Sequence, residues 1–459
     1  MERTLHVLLA ATLLPLTSSL QALQPQAHAP GFAVAVMRDG RIVERFAAGD
    51  ADVAASRPVT SQTIFHIGSI TKMFTATSVM QLVQEGKIDL QAPVTRYLPQ
   101  FAAWRSITIA QLLMHRSGIP NYLDAALASG RAAKPTTPQA ILRAMAAQPL
   151  DFSPGAHFEY SNTNYVALGL VVERVTGESL AAYERHAIFG PAKMRSTFVG
   201  VAPAGRRVAV GYTARGTAAI ANPGDPSWYF ACGDILSTVG DLARFDRALM
   251  DGTLLAPAAF AEMVKVARPE AWLGGARYGY GVMTWRFGDR TIVGHPGGLP
   301  GFEADDEMIP HDRFAVIALG NASDFATSGP NNIALERYYP KQFAALVVAA
   351  HRASAKPVPD PNPALTQRFS AFVRGLIAGK QVDSHLKPQM AAALTPRAIA
   401  AIDKQLFAGL GPLRRLTFRD RFIGDGYYNY EYLASFGNGY LRLRFVLDRN
   451  GALAGFFKQ

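Results

Sequence analysis

The sequence predicts an α/β protein of the α+β kind. An antiparallel sheet is flanked by helices, a helical subdomain interrupts its strands, and a small second α+β domain follows. Three observations carry this prediction. Residues 32–48, FAVAVMRDGRIVERFAA, are two β-rich runs joined at Asp39-Gly40, a strong hairpin turn pair. Residues 275–321 return to strand patterns: YGYGVMTWRF, a turn at Gly288-Asp289, RTIVGH, FEADDEMI and RFAVIALGN. The stretch between, residues 107–200, reads as mostly helical. Strands at both ends of a helical stretch place both ends in one sheet.

The elements follow in order. A helix is expected from Ser69 to Glu85, with Ile70, Met73, Phe74, Val79, Met80 and Val83 mainly apolar and Gly86 as its stop. A Pro-rich stretch, Lys356 to Pro363, reads as a stiff linker. Beyond it, Phe369, Phe372, Val373 and Leu376 sit at helical spacing. Thr395-Pro396 caps a second helix carrying Ile399, Ile402 and Leu406. Three strands are expected to close the chain, with turns at Asn438-Gly439 and Asn450-Gly451. Between these turns, Leu441, Leu443, Phe445 and Leu447 alternate with Arg442 and Arg444, as in a half-buried strand.

Composition narrows the function classes. Of 459 residues, 49% are hydrophobic and 18% charged, enough apolar material for a sizeable core. The net charge is +11, but Lys and Arg are scattered without long runs, so no nucleic-acid partner is expected. Cys232 is the only cysteine, which rules out internal disulfides and thiolate metal clusters. His66, His115, His157, His186 and His311 show no metal-ligand spacing, so neither metal nor cofactor is expected. Val7 to Leu23 is mostly apolar and Ala27-His28-Ala29 is a small-x-small site, with Ala22 as a second candidate. This predicts export to the periplasm or medium. No later stretch approaches the length of a spanning helix, so no stable membrane span is expected once the leader is cleaved.

Three short motifs carry chemistry. In Ser69-Ile70-Thr71-Lys72, residues three apart face the same way on a helix, so the lysine can reach the serine. A serine hydroxyl is a poor nucleophile until a base takes its proton, and a lysine can be that base if its pKa is depressed. Free N–H groups at a helix start can also bind a developing oxyanion. Alone, this pattern is common and often means only a capping serine. Tyr160-Ser161-Asn162 follows a Pro-Gly turn and precedes an amphipathic helix. Beside a cationic lysine, Tyr160 can relay a proton, and one Asn162 amide can bond both the lysine and a substrate carbonyl. The bland alternative is a core tyrosine before a cap. His295-Pro296-Gly297-Gly298 ends a strand, and its glycines let backbone approach a substrate closely. Gly298 N–H is a candidate second oxyanion donor. His295 can bond a substrate oxygen or the Tyr160 hydroxyl, or be an ordinary turn histidine.

The order and spacing of these motifs resemble the serine β-lactamase and penicillin-binding-protein superfamily, in its class C-like branch of esterases and D-aminopeptidases. The supporting stretches are FHIGSITKMFTA, LLMHRSGIPNY, the block around Tyr160, DILSTVGDLARF and VGHPGGLPGF. The resemblance covers about residues 30–340 and implies a β-lactamase/transpeptidase-like fold. It makes Ser69 the nucleophile, Lys72 the general base and Tyr160 the acid–base partner. Asn162, His295, Gly297 and Gly298 become substrate-binding positions, with Ser69 and Gly298 N–H as the oxyanion hole. The function implied is hydrolysis of an ester or amide through an acyl-enzyme. D-amino-acid peptides, β-lactams and other small-molecule or cell-wall-derived peptide substrates are the candidates. The alternative is a penicillin-binding, peptidoglycan-sensing protein that acylates without efficient turnover.

Three departures qualify this. His295 stands where β-lactamases carry a lysine, which argues against strong β-lactamase activity. Cys232 stands where relatives carry a small residue, and reads as a buried hydrophobe. Glu303, Asp305, Asp306 and Glu307 follow Phe302 and read as a solvated strand edge, with a cationic-substrate site as the sharper alternative. The chain then divides into a signal peptide (1–29), a hydrolase domain (30–350), a linker (351–363) and a small α+β domain (364–459) that loosely resembles nuclear-transport-factor-like or cystatin-like folds.

Overall fold

A computed structural model describes residues 16–23, 29–213, 224–265, 276–343 except 324 and 326, and 360–458 except 382, 384, 404–406, 408–409, 425–426, 438–439 and 449. Most of the expected leader, residues 356–359 of the Pro-rich stretch, Leu406 and the Asn438-Gly439 turn lie outside these residues. The described residues up to 343 form one compact unit and those from 360 a second.

In the first unit, β1 (Gly31–Arg38), β2 (Arg41–Asp52) and β3 (Arg57–Pro58) precede the helical part. Within that part the short β4 (Phe65–His66), β5 (Phe198–Val199) and β6 (Ile235–Ser237) make a small sheet of their own. Then come β7 (Arg277–Tyr278), β8 (Met283–Phe287), β9 (Arg290–Leu299), β10 (Phe302–Ile309) and β11 (Phe314–Gly320). The main sheet has the order β3-β2-β1-β11-β10-β9-β8-β7, antiparallel throughout. Its two ends in sequence meet at its centre, where Phe32 lies opposite Gly320 and Met37 opposite Ala315. The Asp39-Gly40 pair makes the first hairpin with φ of 51° and 74°, the left-handed conformation that such a two-residue turn requires.

β1 and β11 are buried on both faces, which explains their continuous apolar runs. Ala33, Ala35 and Met37 belong to the same core as Phe245 of helix Val239–Met250. On the other face Phe32 packs on Phe325, ring centres 5.3 Å apart, and Phe314 packs on Tyr338 of helix Ser328–Tyr338 at 5.6 Å. Helix Thr71–Gln84 runs through the middle of the unit, with every residue from Thr71 to Met80 buried. Its Phe74 stacks on Phe245 at 4.0 Å and meets Phe189 edge-on at 5.9 Å. The sequence placed Ser69 at the start of this helix, but it lies in the 3₁₀ turn Gly68–Ile70 that leads into it.

The acidic run on β10 is not a solvated edge. β10 lies between β9 and β11, and Asp305 and Asp306 are buried. The sequence pattern could not show this, because strand order is set by partners elsewhere in the chain. Asp306 shares its surroundings with Asp246 of helix Val239–Met250, both fully buried. Burial pushes the Asp246 carboxyl up to about 7, and burial together with the Asp246 charge raises that of Asp306. A folded pKa above the unfolded value of ~3.9 means stability that is fully present below that value and lost as pH rises through about 7. Asp246→Asn removes this titration. Relative to the native protein, its melting temperature is expected to climb between pH 4 and 8, by the equivalent of ~2–4 kcal/mol. A constant offset across that range in thermal melts would contradict the account.

The second unit is a meander of four antiparallel strands, β12 (Leu413–Gly424), β13 (Tyr427–Phe436), β14 (Tyr440–Leu447) and β15 (Leu453–Lys458). The sequence pattern predicts three. Residues 413–436 form two strands that are both half-buried, with Leu416 and Phe418 on one and Tyr430 and Tyr432 on the next. Helix Pro363–Ile377 packs on this sheet, Phe369 stacking on Phe445 at 4.1 Å. Thr395 caps helix Pro396–Ile402 through its hydroxyl, which accepts Ala398 N–H.

Candidate active site

The 3₁₀ turn sets Ser69 half-exposed while Lys72, the second residue of the helix, is fully buried. Lys72 Nζ donates to Ser69 Oγ at 3.0 Å, to Asn162 Oδ1 at 2.8 Å and to the Cys232 carbonyl at 2.9 Å. The three donors of an ammonium are thus all used. Burial draws the lysine pKa down from 10.5 to about 8, against the opposing pull of Cys232 and Asp234. An amine with such a pKa is neutral in a useful fraction near neutral pH.

Each partner is held in place. Thr71 Oγ1 accepts Ile235 N–H at 3.2 Å and Thr75 Oγ1 donates to the Ala231 carbonyl at 2.8 Å, pinning residues 231–235 along the lysine helix. Ala231 adopts φ of 60°, which turns the chain so that Cys232 presents its carbonyl to Lys72. The Cys232 thiol points elsewhere, toward the Tyr229 carbonyl at 3.4 Å and the Tyr122 hydroxyl at 3.6 Å, and burial raises its pKa. It is a small buried side chain, as expected. Asn162 opens helix Asn162–Thr176, and Asn121 Oδ1 accepts both its backbone N–H and its side-chain Nδ2. Asn162 therefore faces the lysine and Asn121 more than open space.

Tyr160 comes next to this group, its ring centre 4.8 Å from Lys72 Nζ. The strand carrying Gly297 and Gly298 presses against the Ser69 turn. A Cβ on Gly297 would sit 2.0 Å from the Ile67 carbonyl oxygen, and one on Gly68 would sit 2.8 Å from Gly298 N. Only glycine permits that approach, which brings Gly298 N–H beside the serine. The motif does not end the strand, as the sequence suggested, but continues within β9.

His295 departs most from expectation. It is buried, with Nδ1 at the Pro296 carbonyl and Nε2 2.9 Å from the Tyr278 hydroxyl. Both ring nitrogens are taken by protein groups, so the ring faces inward and not toward a substrate oxygen. Burial, with the Lys72 charge, lowers its pKa to about 3. Three neighbours escaped the sequence analysis as site residues: His115, Tyr278 and Asp234. His115 has φ of 54°, unusual for a residue other than glycine, but no local pattern announces it. Burial raises Asp234 to about 7 within the field of Lys72. Among the described residues no cluster of side chains could hold a metal ion.

A reachable serine whose proton can pass to a desolvated lysine, with backbone N–H groups beside it, is the apparatus of an acyl-enzyme serine hydrolase. Comparison with known proteins agrees. The β-lactamase family model matches residues 16–339, and the chain belongs to that family of serine hydrolases. It is 30% identical over 328 residues to the D-aminopeptidase of Brucella canis, covering 68% of this chain and 61% of that protein. The solved D-stereospecific amidohydrolase from a Streptomyces species is 29% identical, with a TM-score of 0.61 over 72% of this chain and 99% of that one. The octameric penicillin-binding protein homologue of Pyrococcus abyssi, at 22% identity, has a likeness in fold that covers 95% of this chain with a TM-score of 0.61.

Proposed function

We propose that this hydrolase cleaves esters and short amides, including amides of D-amino acids and cell-wall-derived peptides, in preference to β-lactams. The observation that carries the reading is Lys72 Nζ, buried, 3.0 Å from Ser69 Oγ and with its pKa lowered to about 8. In this reading Lys72 takes the Ser69 proton as Oγ attacks the carbonyl carbon. The oxyanion is held by the N–H groups of Ser69 and Gly298. Tyr160 gives its proton to the leaving group as the tetrahedral species collapses to the acyl-serine and is reprotonated from Lys72, which leaves both groups as they began. Water then repeats the cycle on the ester and frees the acid. Asn162 keeps the lysine aimed, and Gly297 lets β9 close on the serine. The preference against β-lactams rests on His295, which offers no positive charge to a substrate carboxylate. The D-amino-acid amides are suggested by the names of the relatives.

Rates on a nitrophenyl ester, a D-phenylalanine amide, a penicillin and a cephalosporin test this. We expect kcat/KM for the ester to exceed that for both β-lactams at least ~10-fold, a difference of ~1.4 kcal/mol in barrier. His295→Lys is not expected to close the gap, since that side chain points to the interior. Faster hydrolysis of the cephalosporin than of the ester would overturn the preference. A persistent penicillin adduct by mass spectrometry, with no turnover of ester or amide, would favour the peptidoglycan-sensing alternative.

We also propose that the chain is exported through its apolar N-terminal segment and works in the periplasm or medium. Within this proposal the catalytic domain spans residues 30–350 and a separate domain spans 364–459. Among the described residues no helix is long and apolar enough to cross a membrane. N-terminal sequencing of protein recovered from the periplasm would locate the cleavage site, and recovery of the intact chain from the cytosol would refute export.

A further inference from the structure

The inward-facing histidine is one link in a hydrogen-bonded chain whose direction can be worked out proton by proton. His295 Nδ1 lies at the Pro296 carbonyl, which can only accept, so Nδ1 carries the hydrogen. With Nδ1 protonated, the Nε2 of a neutral ring is a lone pair. It accepts from the Tyr278 hydroxyl at 2.9 Å. That spends the only proton of Tyr278, so its oxygen accepts from His115 Nε2–H at 3.2 Å. His115 Nδ1 is then the acceptor, and two donors reach it: Ser161 N–H at 3.2 Å and Asn164 Nδ2 at 3.1 Å. Two donors share the His115 Nδ1 lone pair, and the Tyr165 hydroxyl also lies within hydrogen-bonding reach of Tyr278. A charge on His115 would set an Nδ1 hydrogen against Ser161 N–H, and one on His295 would set an Nε2 hydrogen against Tyr278.

The two ends of this chain are parts of the site. At one end His115 grips both neighbours of Tyr160: its carbonyl accepts Glu159 N–H at 2.9 Å and its ring accepts Ser161 N–H. Its ring also lies against that of Tyr160, centres 4.3 Å apart. At the other end His295 directly precedes Pro296-Gly297-Gly298, the segment that closes on the Ser69 turn. The two segments are far apart in sequence, and Tyr278 joins them through a single oxygen.

We propose that Tyr278, with His115 and His295 in fixed neutral tautomers, is a positioning residue that holds Tyr160 and the Gly297-Gly298 strand in register around Ser69. This rests on the roles given above to Tyr160 and Gly298. The groups facing the two rings are Lys72 from helix Thr71–Gln84, Tyr160, and Tyr165 of helix Asn162–Thr176. Asp306 adds to them as the cross-strand partner of His295. The lysine opposes protonation of either ring, and Asp306 is itself held toward its neutral form by burial. Burial and the lysine therefore both favour the uncharged form of the two rings.

Tyr278→Phe cuts both links at once while keeping the ring. We expect its kcat on an ester to fall ~10-fold or more with KM changed little, the pattern of misplaced catalytic groups in place of lost binding. In the native protein, ¹⁵N NMR of the histidines should show His115 as the Nε2–H tautomer and His295 as the Nδ1–H tautomer, both neutral from pH 5 to 8. Unchanged kcat in Tyr278→Phe, or a loss that falls on KM with kcat kept, would overturn the proposal. So would an Nε2–H or charged His295 in the native protein, a measurement that decides the matter even if the variant fails to fold. The tautomers are independent of substrate, so failure of the hydrolase reading leaves this test standing.

Discussion

Ser69→Ala is expected to abolish covalent labelling by a fluorophosphonate or β-lactam probe and to lower ester hydrolysis on the order of 10⁴-fold or more, with the fold intact. The serine hydroxyl lies 3.0 Å from Lys72 Nζ, in a turn crossed by Gly297 and Gly298. Its side chain is small and half-exposed, so removing one oxygen leaves no cavity of consequence and costs buried Lys72 one of its three partners. Lys72 retains Asn162 and Cys232 as partners. The check is intact-protein mass after probe treatment, paired with a thermal melt. A labelled mutant would move the nucleophile elsewhere.

Lys72→Ala and Tyr160→Phe are each expected to lower the rate of acylation or deacylation by at least ~10²-fold, the scale of positioned acid–base groups. The native kcat/KM should rise with pH through about 8, as the lysine loses its proton to become the base, and the alanine variant should lose that limb. The neutral histidines contribute no limb of their own. Pre-steady-state kinetics on a nitrophenyl ester separate the two half-reactions. Near-native rates in either variant would take that residue out of the mechanism, and a lysine limb surviving in Lys72→Ala would assign it to another group.

Much of this site was legible in the sequence because its chemistry is local. Ser69 and Lys72 are one helical turn apart, and Tyr160 and Asn162 flank one helix start, so spacing alone places each pair. The first hairpin was equally plain, since the Asp39-Gly40 turn dictates its own geometry. What stayed hidden depends on distant pairing. The inward turn of His295 follows from Tyr278 and His115, and the latter is contributed by a loop far upstream. The burial of Asp305 and Asp306 follows from β9 and β11 standing on either side of their strand. In both cases the side chain alone suggested an exposed polar group, and the tertiary neighbours decided otherwise.

The seam between β1 and β11 also orders events in time. Phe32 pairs with Gly320, so the sheet cannot close until nearly the whole first unit has been synthesised. β2 reaches β1 early through its short turn, but the other edge of β1 stays open. Gly31 to Met37 is apolar and uncharged, and an unpaired strand edge of that composition invites association between unfinished chains. Closing so long a loop is also slow, because its entropy is lost before any long-range contact compensates. A nascent chain that ends before residue 314 therefore carries a sticky, half-built sheet, and the yield of active protein depends on what shields that edge until the last strand arrives.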